Sequence, residues 1–82
     1  MFYFVRMDEE EHPVIGFGLE YGGQLIFCEA VMQQNYYDVL FDGKWIATIA
    51  RDDGWEWMQE SGVILTNGIV AEIGRRIEKA YN

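Results

Sequence analysis

Nucleophilic catalysis in a chain of 82 residues with one His, one Cys and one Ser would have to run through Cys28 or Ser61, with His12 as base. Neither pairing is attractive. Cys28 alternates with Ile26, Ala30 and Met32, where a thiol behaves as a small buried apolar group rather than a nucleophilic thiolate. Ser61 precedes Gly62 and reads as a turn residue. Metal binding would draw on Asp8, Glu9, Glu10, Glu11 and His12, but adjacent side chains do not converge, and a calcium loop needs spaced oxygens with a glycine to bend the backbone. Zinc needs more than one His and one Cys. The run reads as a solvated acidic loop ahead of Pro13.

Of the remaining carboxylates, Asp52 and Asp53 suit a turn, and Glu56 suits a cross-strand pair with Arg51. Asp38 and Glu29 are different, because each interrupts an apolar strand; such positions fit a sheet edge, a partner's basic group or a ligand pocket. Gly16-Phe17-Gly18 has the letters of a phosphate loop without its lysine or its following helix. The expectation is a non-enzymatic protein with no catalytic residue, no cofactor and no metal.

Fourteen acidic against six basic residues give a net charge of -8, which opposes a grip on phosphate backbones or on an anionic leaflet. No nucleic acid and no membrane partner is expected. A lone cysteine suits a reducing compartment, and residues 1–6 read as a first strand rather than a signal peptide, so the expected location is cytoplasmic. Length fits a single domain, 1–82, and thirteen aromatic residues argue against disorder. A chain this short buries only about 60% of its unfolded surface, so association is a ready way to bury more.

The elements that must position these residues are marked by turns. Gly22-Gly23, Asp42-Gly43 and Asp53-Gly54 each lie between segments rich in β-branched and aromatic residues, the pattern of tight hairpins. After Gly62 the apolar period becomes helical, with Ile69, Val70, Ile73 and Ile77 on one stripe, Thr66 or Asn67 as cap, and Arg75, Arg76 and Lys79 towards the negative end. The predicted class is α+β: an antiparallel sheet of about five strands with one C-terminal helix packed on one face.

Two-residue turns would set Leu40 opposite Trp45, Val39 opposite Ile46, Tyr36 opposite Ile49 and Arg51 opposite Glu56. One face then carries Tyr37, Val39, Phe41, Ile46, Trp55 and Trp57, and the other Tyr36, Leu40, Trp45, Ala47, Ile49 and Met58. Both faces are apolar, and one helix covers one of them. The first set is the candidate interface, and the expected role is self-association as a homodimer or binding of a protein partner. A small-molecule module using an aromatic face, and an acidic inhibitor of a basic protein site, are the alternatives. A one-residue bulge would swap the faces beyond it.

Overall fold

A computed structural model describes residues 3–7 and 12–80, except the side chains of residues 3, 4 and 6. Six strands, β1 (Tyr3–Met7), β2 (Pro13–Tyr21), β3 (Gln24–Met32), β4 (Tyr37–Phe41), β5 (Lys44–Arg51) and β6 (Trp57–Gly62), precede α1 (Asn67–Ala80). They form one antiparallel sheet in chain order, β1 to β6, one strand more than the expected five or so. Asp8–Glu11, the predicted acidic loop, lie outside the described residues.

Gly22-Gly23 and Asp42-Gly43 turn as expected, with φ of 61° and 79° in the first and 52° and 84° in the second. The third connection is one residue longer than predicted. Trp55, at φ 65°, joins Asp53 and Gly54 in the loop, while the Asp52 carboxylate accepts from the Gly54 and Glu56 amides at 2.8 and 2.9 Å. Arg51 therefore faces Trp57 rather than Glu56.

A second departure lies inside the sheet. Leu40 faces Trp45 as predicted, but Val39 faces Ala47 and Tyr37 faces Ile49, leaving Ile46 as an extra residue in a bulge. That shift moves Ala47 and Ile49 onto the side of Tyr37, Val39 and Phe41. The bulge and the longer loop cancel in parity, so Trp57 keeps the side predicted for it. Tyr37 meets the Trp57 ring edge-on, with centroids 5.7 Å apart.

α1 packs across this side. Val70, Ile73 and Ile77 are buried against Ile15, Phe17, Leu19, Cys28, Ala30, Val39, Ala47 and Ile49. Burying such aliphatic side chains contributes about 1.5–3 kcal/mol each, an upper figure because unfolded chains already hide some surface. The Thr66 hydroxyl accepts from the Ile69 amide at 3.1 Å and caps the helix. Lys79 occupies the last turn, whereas Arg75 and Arg76 both pair with Glu72 and are held by that carboxylate more than by the helix dipole. The Arg75 hydrogen bond foremost, with help from Arg76, keeps Glu72 below its usual range.

The turn into α1 is braced by one side chain. Gln59 donates through Nε2 to the carbonyls of Ser61 and Val63 at 3.0 and 2.6 Å, and its Oε1 accepts from the Leu65 amide at 2.9 Å. Gly74 touches Trp57 so closely that a Cβ there would lie 2.2 Å from the indole. The indole N–H in turn donates to Glu78 at 2.9 Å. Trp57 is thus fixed between β6 and α1.

Candidate functional site: the open face of the sheet

The residues weighed for nucleophilic chemistry are dispersed. Cys28 sits on β3 facing α1, opposite Phe17 and Phe41, and is fully buried. Burial pushes its thiol up to about 12, with the Glu29 charge adding to the shift and Arg76 opposing it. A thiol so protonated and enclosed should react with a disulfide reagent such as DTNB only when the protein unfolds, at pH 8 as at pH 7; rapid native-state labelling would contradict the burial. Ser61 is exposed on β6 opposite Thr48, three strands from Cys28, and His12 precedes β2. Among the described residues, no group of three or more His, Cys, Asp and Glu side chains converges as a metal site.

The candidate interface needs correction. Val39 is completely buried, and Tyr37, Phe41, Ile46 and Trp57 pack against the core beneath α1. They do form one face, but it is the face the helix covers. Trp55 alone of the six is well exposed, at 74%. Its indole and that of Trp57 flank the Arg51 guanidinium, with centroids 5.2 and 4.9 Å from it. Glu78 lies 3.8 Å from the Arg51 Nε and replaces the expected Glu56 as its acidic partner.

The open face is built from the other parity of each strand. Register places Val14, Gly16, Gly18 and Glu20 of β2 beside Val31, Glu29, Phe27 and Leu25 of β3. Asp38 and Leu40 of β4 follow, then Trp45, Thr48 and Ala50 of β5 and Met58 of β6. Val14, Glu29, Thr48 and Ala50 are buried on this side. Leu25, Phe27, Trp45 and Met58 are not: they expose 72, 40, 47 and 48% of their surface, more than a water-facing sheet needs to leave apolar. Leu25 covers Gly18, with its Cδ1 3.4 Å from where a Cβ would stand.

Asp38, odd in the sequence, has a structural role here. Its Oδ1 accepts from the Trp45 indole at 3.1 Å and from the Thr48 hydroxyl at 3.2 Å, and its Oδ2 accepts from the Gln33 amide at 3.1 Å. The carboxylate holds the exposed Trp45 ring in one orientation, which lowers the entropy such an aromatic loses when it is covered. The Phe27 backbone is tied to the neighbouring turn, its amide donating to the Asp42 carboxylate at 3.0 Å and its carbonyl accepting from the Asp42 amide at 2.7 Å. The face therefore presents aromatic rings on rigid supports, with Glu20, Glu29 and Asp38 as the charged groups among its described side chains.

No family model, curated protein or solved structure matches the chain. No helix among the described residues is long and apolar enough to cross a membrane.

Proposed function

We propose that this is a non-enzymatic cytoplasmic protein that self-associates through the open face of its sheet. One observation carries the reading: Leu25, Phe27 and Trp45 at one end of the sheet, and Met58 at the other, are exposed on the side that α1 leaves uncovered. Aromatic side chains and methionine are enriched at interfaces, and tryptophan is among the commonest hot-spot residues. Area supports a second copy as the occupant. Six strands about 4.8 Å apart, each about 20 Å long, offer on the order of 500 Å² per copy, so a face-to-face pair buries about 1,000 Å², near the lower limit for a specific interface. A two-fold pair needs no other partner, since one patch serves both subunits. The single buried thiol fits a reducing compartment.

Electrostatics make the association weak and give it a signature. Each copy carries -8, and the charged side chains described on the open face are acidic, so added salt should tighten the dimer by screening repulsion. Leu25→Glu and Met58→Glu, made separately, should shift the protein to monomer with little change in melting temperature, because both side chains are about half exposed or more. Lys79→Glu, on the far side, should lower association only through net charge. Sedimentation velocity distinguishes these outcomes, and a dimer untouched by Leu25→Glu and Met58→Glu would place the contact elsewhere.

A further inference from the structure

Beyond the open face, a cleft of about 300 Å³ lies at the end of the sheet, lined among others by Met32, Tyr36, Tyr37, Arg51, Trp55 and Trp57. We infer that this cleft is a binding site for a small planar acid, an aromatic ring carrying a carboxylate, with Arg51 taking the acid group and Trp55 stacking on the ring. Three observations converge on it.

The first is Trp55 itself. Its φ of 65° is left-handed, a region that bulky side chains rarely enter and that the third residue of such a loop normally fills with glycine. The residue is 74% exposed, so the core gains little from it. A residue that strains the turn and stays in water serves something other than folding, and backbone strain of this kind gathers at binding sites. Arg51 is already stacked on Trp57, so the fold does not need a second indole to hold the guanidinium.

The second is the state of Arg51. Its Nε edge faces Glu78 at 3.8 Å, and the guanidinium makes no hydrogen bond to any described residue. Its terminal nitrogens retain the planar fork that binds a carboxylate through two parallel hydrogen bonds. The third is rigidity. Trp57 is locked by Gly74 and by its 2.9 Å hydrogen bond to Glu78, so the floor under Arg51 is fixed before any ligand arrives. The cleft volume is at the bottom of the range of about 300–1,000 Å³ for small-molecule sites, which fits one ring or two.

The test uses benzoate, with benzamide and benzylamine as its neutral and cationic counterparts, titrated into the 82-residue chain while the indole N–H signals are followed by NMR. Benzoate should shift the Trp55 signal saturably, with a Kd on the order of 1 mM for so small a ligand. Benzamide and benzylamine should bind at least about tenfold more weakly, and Arg51→Gln should cost benzoate about tenfold or more. Trp55→Gly should abolish benzoate binding without lowering the melting temperature, because glycine relieves the left-handed strain as the ring contact is lost. Benzoate that causes no shift, that binds no better than benzamide or benzylamine, or that still binds Trp55→Gly or Arg51→Gln would overturn the assignment. Repeating the titration in Leu25→Glu separates this result from self-association through the open face.

Discussion

Gly62→Ala is expected to be among the most damaging single-methyl changes in the protein. At φ 99° a residue with a side chain is strained, and the added Cβ would stand 2.2 Å from the Ile46 carbonyl oxygen and 2.6 Å from the Ala47 Cα. Both obstacles are backbone, so no rotamer change relieves them. β6 would have to separate from β5 where Gly62 faces Ala47, taking with it the 2.9 Å hydrogen bond from the Val63 amide to the Ile46 carbonyl. The Gln59 brace and the Thr66 cap lie immediately beyond, so the damage reaches the start of α1. The expected loss is about 3 kcal/mol or more, measured by urea unfolding. Gly43→Ala is the control: its φ is 84°, but a Cβ there meets nothing within 4 Å, so strain alone should cost about 1 kcal/mol. Equal destabilisation by the two changes would contradict the close approach at Gly62.

Ile73→Asp should be comparably severe for a different reason. Ile73 is fully buried at the middle of the α1 stripe, between Val70 and Ile77, over the aliphatic layer of β2 and β5. A carboxylate there either ionises without a partner or takes up a proton, and in both cases it empties the space that the isoleucine filled. About 4 kcal/mol or more is expected, a large share of the roughly 5–15 kcal/mol that holds a small domain together. Thermal unfolding by circular dichroism should show the cooperative transition lost or moved down by tens of degrees. A melt within a few degrees of the parent would mean that the helix does not pack on this face.

The helix, its Thr66 cap and the first two hairpin turns were legible because each depends on local chemistry: a 3.6-residue apolar period, a hydroxyl ahead of it, and glycines with positive φ. The covered face was not legible. Val39, Ile46 and Trp57 group as predicted, but which side α1 takes depends on the total apolar volume of each side, and the Ile46 bulge decides that by sending Ala47 and Ile49 to join them. Nothing in Lys44–Arg51 marks the bulge, since every residue from Trp45 to Ala50 fits a strand on either face. Trp55 misled for a similar reason: Asp53-Gly54 is a strong two-residue turn signal, and only the Asp52 carboxylate, gathering the Gly54 and Glu56 amides, makes the longer loop. Asp38 gave a usable signal. A carboxylate within an apolar strand needs donors, and the three it found include the exposed indole of Trp45 on the open face.

These shifts change which residues carry the self-association reading without changing its physical basis. Apolar surface still exceeds what one helix covers, and on the open face the excess lies at Leu25, Phe27, Trp45 and Met58 instead of at Phe41, Ile46 and Trp57. The measurement that tests this most directly is the mass in solution by sedimentation equilibrium, from micromolar to near-millimolar protein, at low and at high salt. Self-association through the open face predicts a mass that rises with concentration from 9.6 kDa towards twice that value, with the midpoint moving to lower concentration as salt is added. A mass of 9.6 kDa at every concentration and every salt would contradict it.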